Sequence, residues 1–358
     1  MKILHITNSL SEGGVESFLL NLLPRLREKG YAVELLVLNR NSVSMKKVFE
    51  DNGIKVNIGK YNNLYNPFNV FVLRKYLTYY DIIHVHLWPA QLYISLGKVL
   101  SHSHAKFITT EHNNFNKRRN FKAYRFIEQW MYNQFDIIVG VCETSRFNLL
   151  KWIRHSQVVA IPNAIQWEVF NKAKPFEKNE LGLPHSSFMI TMTARFFIKK
   201  DQPTLIRALS LLPSDIHVVF VGSGESIFEC KALATELGLS ERIHFLGRRT
   251  DVNRILKTSD LCVLSTHYEG LPISVIEYMS AGKAVVATDV DGIRELISDD
   301  CLAKPNSFED MALKIRRLYG DRQLLNRISE QNLLNSFQYN IEEMVNQYNY
   351  IYNKVYNG

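Results

Sequence analysis

The chain has 358 residues, of which 46% are hydrophobic and 22% are charged, and its 43 Lys and Arg against 35 Asp and Glu give a formal net charge of +8. Such a length predicts about two domains. The composition excludes a disordered chain, a collagen-like chain and a disulfide-rich miniprotein. The positive charge favours phosphates, nucleic acid or a membrane surface as partners without choosing among them.

The four cysteines are far apart and form no C-x-x-C pair. This spacing predicts neither a metal knuckle nor a disulfide framework and fits a reducing compartment. The apolar N-terminal run is too short for a signal peptide, and the chain lacks the run of about 18 apolar residues that a membrane-spanning helix needs. We therefore expect a cytoplasmic location.

Short apolar runs alternate with helical patterns along the first half of the chain. Runs rich in Ile and Val, bounded by turn residues, predict buried strands at 3–6, 33–38, 81–87, 107–110 and 136–141. Residues 15–29 predict an amphipathic helix that ends at Gly30. Pro24 lies inside this pattern, so a kink or a late start is expected.

The same alternation restarts near residue 188. Strands are predicted at 189–193, 217–221, 243–246, 261–264 and 284–287. Helices are predicted at 202–212, 226–237, 252–257, 274–281 and 308–319. Because alternating strands and helices form parallel sheets covered on both faces, we predict an α/β protein with two Rossmann-like domains and a cleft between them.

The polar segment 171–187 contains two prolines, lacks periodicity and predicts a linker between domains 1–170 and 188–338. The final segment, 339–358, has apolar residues at helical spacing from Met344 to Val355. It predicts an amphipathic helix that either packs on its own domain or crosses back to the first one.

Open parallel sheets bind ligands beyond the carboxyl ends of their strands, so the loops that follow strands are the candidate sites. Gly13 and Gly14 follow the first strand and open a helix, where free N–H groups and the helix dipole favour a phosphate. The spacing is not G-x-G-x-x-G, so a dinucleotide fingerprint is not supported. A plain turn is the alternative.

Two loops of the second half carry charged residues. Arg195 and Lys200 suit a diphosphate, with a solvated charge cluster as the alternative. Glu269 and Glu277 stand on either side of a helix start and can accept hydrogen bonds from sugar and ribose hydroxyls. For Glu277, the alternative is an acid stabilised by the helix dipole.

These motifs occur in a fixed order along the chain. In sequence they are Gly13-Gly14-Val15-Glu16, Pro162-Asn163-Ala164, Arg195 with Lys200, Val221-Gly222-Ser223-Gly224-Glu225, Phe245-Leu246-Gly247 and Glu269-x7-Glu277. The series resembles the signature of the retaining glycosyltransferases of the GT-B fold, glycosyltransferase family 4 (glycosyl transferases group 1), over nearly the whole chain. The resemblance implies transfer of a sugar from a nucleotide-diphosphate sugar, expected to be a UDP-sugar, with retention at the anomeric carbon.

The resemblance also implies roles for the matching residues. Arg195 and Lys200 would hold the diphosphate where its charge grows, and Glu269 would contact sugar hydroxyls. His112, which follows a strand, is similar to the family histidine near the reaction centre. With Glu277 on the ribose and Arg248 beside the base, the implied donor-binding residues are Gly13, Gly14, Gly222, Arg248, Gly270, Leu271, Ile273, Ser274 and Glu277.

Three positions depart from the family pattern or look like another one. Pro272 stands where many members have Gly, and since it lacks an N–H we expect fewer phosphate contacts. Ala194 replaces a common Gly before Arg195. Asp289-Val290-Asp291 looks like the D-x-D metal motif of the other main transferase fold, but the family has a Gly-rich turn here. We expect neither a metal site nor a cofactor.

A basic and aromatic stretch spans 115–130 and includes Lys117, Arg118 and Arg119 with no acid before Glu128. It predicts contact with an anionic membrane or a solvated helix face. Nucleic acid would use the same residue types, but we do not expect it. Together with the family resemblance, this stretch predicts a saccharide or lipid-linked acceptor, in the synthesis of a bacterial capsule, exopolysaccharide or lipopolysaccharide, at the inner face of the membrane.

Residues predicted to contact the acceptor or the membrane are Glu16, His86, Lys117, Arg118 and Arg119. His84 and His86 point to one face of a strand, and a satisfied core histidine is the equal alternative for both. Three other functions stay open: a sugar-nucleotide epimerase of the same fold, a soluble small-molecule glycosyltransferase, and a nucleotide-sugar-binding protein without catalysis.

Overall fold

The computed structural model describes residues 1–11, 13–101, 103–112 and 116–358, without the side chain of Lys117. Internal contacts divide the chain into two units. The first combines Met1–Ala164 with Ile341–Gly358, and the second is Ile165–Asn340. The two units are described separately.

The first unit is built on a seven-stranded sheet in which every neighbouring pair is parallel. Its strands are β1 (Lys2–Thr7), β2 (Ala32–Val37), β3 (Lys55–Ile58), β4 (Ile82–His86), β5 (Lys106–Glu111), β6 (Ile137–Gly140) and β7 (Val158–Ala160). Their spatial order is β3-β2-β1-β4-β5-β6-β7. The Ile and Val runs form the central strands because both of their faces are buried.

Helices connect these strands and cover the sheet. They are α1 (Gly14–Glu28), α2 (Lys46–Asp51), α3 (Asn69–Arg74), α4 (Ala90–Val99), α5 (Tyr124–Tyr132), α6 (Glu143–Trp152) and the final helix α14 (Ile341–Asn357). Pro24 lies inside α1 without ending it, because the helix is fixed by a buried face that includes Leu22, Leu23 and Leu26. The chain turns at Gly30, whose φ of 91° favours glycine.

The final helix belongs to the first unit. Its buried face includes Val345, Tyr348, Ile351 and Tyr352, which join the core cluster formed by α1 and one face of the sheet. Burial of this apolar face holds the final helix on the first unit, although the helix is far in sequence from the strands of that unit. Of the two placements predicted for segment 339–358, the chain adopts the crossing one.

The second unit has a six-stranded parallel sheet in the order β10-β9-β8-β11-β12-β13. Its strands are β8 (Phe188–Thr193), β9 (Ile216–Val221), β10 (Ile243–Phe245), β11 (Leu261–Leu264), β12 (Val285–Thr288) and β13 (Leu302–Ala303). Its helices are α7 (Trp167–Asn171), α8 (Gln202–Leu209), α9 (Ile227–Glu236), α10 (Val252–Thr258), α11 (Ile273–Ser280), α12 (Phe308–Gly320) and α13 (Arg322–Ser336).

Two parallel-sheet, Rossmann-like units confirm the predicted α/β class. The unit boundary falls at Ala164/Ile165, whereas the sequence places a linker at 171–187. This segment packs within the second unit, because Leu181 and Leu183 are buried against β8 and β9. The strands β3, β7 and β13 were not predicted, since polar residues interrupt the apolar pattern of β3 and the other two have only three and two residues.

Candidate active site

Charged side chains gather beyond the carboxyl ends of β8 and β11 in the second unit. Ile198–Lys200 form a 3₁₀ turn after β8, and Glu269 lies in the loop after β11. Lys200 Nζ lies 2.6 Å from Glu269 Oε1, and Lys199 Nζ lies 3.5 Å from Oε2. Thr266 Oγ1 also donates to Oε1, at 2.9 Å. These loops meet because β8 and β11 are neighbours in the sheet.

Glu269 is a buried carboxylate that its partners keep ionised. Burial by itself raises its pKa, but Lys200 and Lys199 outweigh this effect and hold the pKa of Glu269 below its ordinary value. Burial lowers the pKa of Lys199. Arg195 is exposed, and its guanidinium lies 5.0 Å from the centre of the Phe197 ring. Three cations against one carboxylate leave these four groups with a positive charge that suits a diphosphate.

Lys199 was not among the predicted site residues. The signal was present, because it is adjacent to Lys200 in the same loop. The 3₁₀ turn directs both side chains to Glu269, which the sequence alone does not reveal.

A glycine turn after β9 supports the segment that carries Arg195. A side chain at Gly222 would place its Cβ 2.1 Å from the Ala194 oxygen, and one at Gly224 would lie 2.1 Å from the Phe196 oxygen. Both glycines have positive φ, 144° and 156°. The role that this geometry supports for Gly222 is therefore close backbone packing against the Arg195 segment.

The helix α11 begins at the same edge of the sheet. The backbone N–H groups of Ile273 and Ser274 in its first turn have no acceptor among the described residues, whereas Pro272 contributes no N–H. The hydroxyl of buried Tyr278 accepts a hydrogen bond from the Thr193 N–H at 2.7 Å and thereby anchors α11 to the end of β8. Free N–H groups at a helix start can bind an anion.

Glu277 lies one turn into α11 and differs from Glu269 in having no compensating partner. Across the described parts of the chain, no hydrogen bond or ion pair reaches its carboxylate. Burial raises the pKa of Glu277 to about 7. The group is therefore prepared to accept hydrogen bonds from a ligand. Arg248 and Gly270 belong to the loops after β10 and β11 at this same edge.

In the first unit, the predicted glycines open α1. Gly13 has an extended φ of −178°, and a side chain at Gly14 would meet no atom within 4 Å. A Cβ at Gly13 would lie 2.8 Å from Glu16 Oε2, so only the position of Gly14 leaves open space beside the helix start. Glu16 is buried in the first turn, and Ser9 Oγ donates to its Oε1 at 3.3 Å. Glu12 lies outside the described residues.

His86 ends β4, and His112 directly follows β5, the neighbouring strand. His86 Nδ1 lies 3.0 Å from His112 Nε2, and His86 Nε2 lies 3.0 Å from Nδ1 of His5. His86 is fully buried, and burial lowers its pKa well below the ordinary value. Burial lowers the pKa of His112 to about 3. These contacts favour the core alternative for His86.

Arg118 and Arg119 turn inward. Arg118 Nη2 and Arg119 Nε each lie 3.2 Å from a carboxylate oxygen of Glu128, which is fully buried. Arg119 Nη2 is also 3.6 Å from Glu111 Oε2. The buried carboxylates of Glu128 and Glu111 need these cations for charge compensation. Arg118 and Arg119 are therefore engaged in ion pairs inside the unit, whereas the sequence predicted that they contact the membrane. The Lys117 side chain lies outside the described part of the chain.

Apolar side chains of α5 and α6 face solvent instead. Phe126 is 80% exposed, and Ile127, Trp130, Phe147 and Leu150 are exposed as well. The start of α5 lies beside the end of α6, since Arg125 Nε donates to the Trp152 oxygen at 2.8 Å. The resulting surface, which we call the α5–α6 apolar surface, is edged by the basic residues Lys122, Arg125 and Lys151.

Within the described ranges, no helix is both long and apolar enough to cross a bilayer. The carboxylates of the D-x-D-like segment are engaged by an arginine: Arg294 Nε lies 2.5 Å from Asp289 Oδ1, and its Nη1 lies 3.1 Å from Asp291 Oδ1.

Two family models match the chain. The one described as "Glycosyltransferase Family 4" matches residues 12–168, and the one described as "Glycosyl transferases group 1" matches residues 173–333. Together they extend over most of both units.

Curated relatives align over most of the chain. The putative glycosyltransferase EpsD of Bacillus subtilis is 27% identical over 313 residues, 79% of this chain and 81% of that protein. The UDP-Gal:alpha-D-GlcNAc-diphosphoundecaprenol alpha-1,3-galactosyltransferase of Escherichia coli is 26% identical over 296 residues, 76% of this chain and 72% of that protein. The crystal structure of Anabaena Alr3699/HepE in complex with UDP and glucose has the same fold, with a TM-score of 0.88, 20% identity, and coverage of 99% of this chain and 100% of that one.

The ion pairs of Glu128 generate a stability prediction. Arg119→Ser leaves Glu128 and Glu111 with less compensation inside the core, and we expect it to lower the free energy of unfolding by about 3 kcal/mol. Urea denaturation measures the change. Lys122→Ser, at an exposed neighbouring position, is the control and should change stability by less than about 0.5 kcal/mol. Equal midpoints for the two variants would contradict a buried structural role for Arg119.

Proposed function

The chain belongs to glycosyltransferase family 4, the glycosyl transferases group 1, and on that premise we propose that it transfers a sugar from a UDP-sugar, with retention at the anomeric carbon, to a saccharide or lipid-linked acceptor. The observation that carries the donor assignment is the group formed by Arg195, Lys199, Lys200 and Glu269 beyond β8 and β11. Its positive charge matches the negative charge of a diphosphate.

In the proposed reaction, the bond between the sugar and the diphosphate breaks while negative charge grows on the leaving diphosphate. Arg195 and Lys200 stabilise that charge, because fixed cations lower the barrier most where charge develops. Glu269 holds Lys199 and Lys200 in place and accepts hydrogen bonds from sugar hydroxyls. Retention follows if the acceptor attacks the face that the diphosphate leaves, with a phosphate oxygen taking the acceptor proton.

The rest of the donor is assigned to the neighbouring loops. The N–H groups of Ile273 and Ser274 bind a phosphate at the start of α11. Glu277 accepts hydrogen bonds from the ribose, and Arg248 borders the base. Gly270 and Leu271 shape the loop that holds Glu269. In the first unit, His112 contacts the reacting sugar, and Gly13 and Gly14 line the ligand, with the open space beside Gly14 admitting it.

We assign no metal to this reaction. Asp289 and Asp291 are both paired with Arg294. The three cations beyond β8 supply the charge stabilisation that a divalent ion provides in other transferases.

The proposed acceptor is an intermediate of surface polysaccharide synthesis at the inner face of the membrane. The Escherichia coli relative is named for a diphosphoundecaprenol-linked acceptor, and the Bacillus subtilis relative is a putative glycosyltransferase of similar length. The α5–α6 apolar surface with its basic edge supports contact with an anionic bilayer. The proposal needs no nucleic-acid partner.

The donor assignment predicts the effect of removing one cation. Lys200→Ala should lower turnover by about two orders of magnitude or more, because one charge-stabilising group is lost. The substrate for the assay is chosen from UDP-glucose, UDP-galactose and their N-acetylated forms as the one that raises the Tm of the protein most. Turnover is then measured as released UDP, with and without EDTA to remove divalent metal ions. The wild-type rate should be equal in both.

Lys304→Ala, at an exposed position of the second unit, is the matched control and should keep the wild-type rate. A wild-type rate for Lys200→Ala would remove the diphosphate role. Epimerised nucleotide sugar formed without an acceptor would contradict transfer.

The buried carboxyl of Glu277 predicts that donor binding depends on pH. Its raised pKa of about 7 means that it is largely protonated below neutral pH in the free protein. Ribose hydroxyls donate to the ionised form and lower the pKa in the complex, so binding releases a proton. The affinity for UDP-glucose should therefore rise with pH up to about 7 and level off above it.

Calorimetry in buffers of different ionisation enthalpy measures the released proton directly. UDP-glucose is the suitable probe because its diphosphate diester does not titrate near neutral pH. Glu277→Gln should abolish the dependence, whereas Glu236→Gln, at an exposed position, should retain it. A wild-type affinity that is independent of pH would rule out the ribose role of Glu277.

The α5–α6 apolar surface predicts membrane binding that depends on its exposed rings. The double variant Phe126→Ser, Trp130→Ser should reduce sedimentation with phosphatidylglycerol-containing vesicles about tenfold or more, because burying each large apolar side chain contributes about 1.5–3 kcal/mol. Phe228→Ser removes an equally exposed ring from the second unit and should have no effect. Unchanged sedimentation of the double variant would refute the membrane contact.

A further inference from the structure

A continuous chain of hydrogen-bonded rings and hydroxyls runs from His112 into the core of the first unit. We call it the histidine chain, and its members in bonding order are His112, His86, His5, Tyr352, His84, Thr110 and Tyr348. All of them except His112 are buried with less than one-tenth of their surface exposed.

The sheet order explains why the histidines meet. The strand β4 lies between β1 and β5, and His5 on β1 is paired in register with His84 on β4. His84 and His86 are two residues apart, so they share one face of the sheet. The final helix α14 covers this face with Tyr348 and Tyr352, which are four residues apart and so lie on one side of the helix.

In the outer half of the histidine chain, each contact joins an Nδ1 to an Nε2. His112 Nε2 meets His86 Nδ1 at 3.0 Å, and His86 Nε2 meets His5 Nδ1 at 3.0 Å. Phe18 packs edge-on against the rings of His86 and His112, with ring centres 5.7 and 5.1 Å away, and restricts their rotation. These contacts leave Nδ1 of His112 as the outer end, and no group within the described residues hydrogen-bonds it.

In the inner half, hydroxyls connect the remaining rings. Tyr352 Oη lies 3.4 Å from His5 Nε2 and 2.7 Å from His84 Nδ1. His84 Nε2 lies 2.8 Å from Thr110 Oγ1, which is 3.3 Å from Tyr348 Oη. Every ring nitrogen of His5 and His84 is therefore engaged.

The imidazoles of the histidine chain are neutral. Burial lowers the pKa of His5 and of His112 to about 3, and burial together with the neighbouring histidines lowers the pKa of His84 and His86 well below the ordinary value. A neutral imidazole has one N–H donor and one bare acceptor nitrogen. Each ring must therefore donate on one side and accept on the other.

This requirement leaves two self-consistent proton arrangements for the whole chain. In the inward arrangement, every group donates toward Tyr348, so His112 carries its proton on Nε2 and presents a bare Nδ1. In the outward arrangement, every group donates toward His112, which accepts on Nε2 and presents an Nδ1–H. One reversed link at a ring would put two donors or two acceptors face to face, and at a hydroxyl it would make the oxygen accept twice and leave its own buried O–H without an acceptor.

The hydroxyl at the inner end selects between the two arrangements. In the inward arrangement, Thr110 donates to Tyr348, whose own O–H then has no acceptor among the described residues. In the outward arrangement, the Tyr348 O–H donates to Thr110, and the one donor without an acceptor among the described residues is the Nδ1–H of His112, at the partly exposed outer end of the chain. A buried donor without an acceptor costs about 1–3 kcal/mol, so the outward arrangement is preferred.

We propose that the histidine chain holds His112 as the Nδ1–H tautomer, so that His112 donates a hydrogen bond to an oxygen of the bound sugar and does not act as a base. The part that concerns the sugar rests on the proposed function. His86, His5, Tyr352 and His84 are then positioning residues that act through His112.

A metal site is the competing interpretation of the same cluster. One ring nitrogen from each of His5, His84 and His86 lies within 4.8 Å of the others. However, both nitrogens of each ring already have hydrogen-bond partners in a consistent network. A metal ion would have to break at least two of these bonds.

The experiment compares the tautomer of His112 in two tyrosine-to-phenylalanine variants of the full chain. Two-bond ¹⁵N–¹H correlation spectra of ¹⁵N-histidine-labelled protein distinguish a protonated from a bare ring nitrogen, and His112→Asn assigns the signal. In the wild type, we expect the proton on Nδ1. Tyr352→Phe breaks the chain in the middle, so the shortened outer half loses its preference and a mixture of both tautomers is expected.

Tyr31→Phe is the matched control. Tyr31 also packs against α14, where its hydroxyl hydrogen-bonds Asn349 at 2.5 Å, and its ring meets Tyr352 edge-on. It is outside the histidine chain, so His112 should keep its wild-type tautomer. A bare Nδ1 in the wild type, identical spectra for Tyr352→Phe and wild type, or stoichiometric binding of added Zn²⁺ that disappears in His84→Asn would overturn the proposal.

Activity gives a second, separate readout. Tyr352→Phe should lower kcat about threefold to tenfold, the value of one neutral hydrogen bond, while leaving the affinity for UDP unchanged. A changed tautomer with an unchanged kcat would overturn the contact between His112 and the sugar. If the wild type transfers no sugar from any UDP-sugar, the proposed function fails, and the tautomer measurement still decides whether the histidine chain sets the proton on His112.

Discussion

Parallel pairing of every strand in both sheets determines where chemistry can occur in this protein. A parallel strand must be followed by a crossover, so all the carboxyl ends, and the loops that follow them, lie at one edge of a sheet. In the second unit, this edge brings Lys200 and Glu269 within 2.6 Å although they are 69 residues apart. In the first unit, it places His112 beside His86. The candidate sites depend on this constraint.

A second constraint is that a buried charge needs a compensating partner. Glu269 and Glu128 are both buried, and each has two cations within ion-pair distance. Glu277 has no such cation among the described residues, and its burial therefore raises its pKa. An uncompensated buried carboxyl costs stability, and its place beside the start of α11 points to a ligand that supplies the missing hydrogen bonds.

The core of the first unit contains buried polar groups that are neutral and are satisfied by hydrogen bonds to one another. All rings of the histidine chain except that of His112 are fully buried, and they hydrogen-bond one another because strands β1, β4 and β5 place them in register and α14 adds two hydroxyls. Such a network is more sensitive to one lost member than an apolar core, since each proton depends on the next. This links the final helix, distant in sequence, to the residue nearest the proposed chemistry.

The α/β class, the family and most central strands could be predicted from the sequence, because apolar periodicity and loop motifs are local signals, and the same motifs predict site roles for Arg195, Lys200, Glu269, Glu277 and His112. The sequence did not predict which charges are buried. The folded structure was needed to show that Arg118 and Arg119 pair with Glu128, that Lys199 joins Glu269, that residues 171–187 pack in the second unit, and that the final helix completes the first. These outcomes rest on contacts between residues far apart in the chain, whose pairing depends on strand order and desolvation, and no local pattern encodes either.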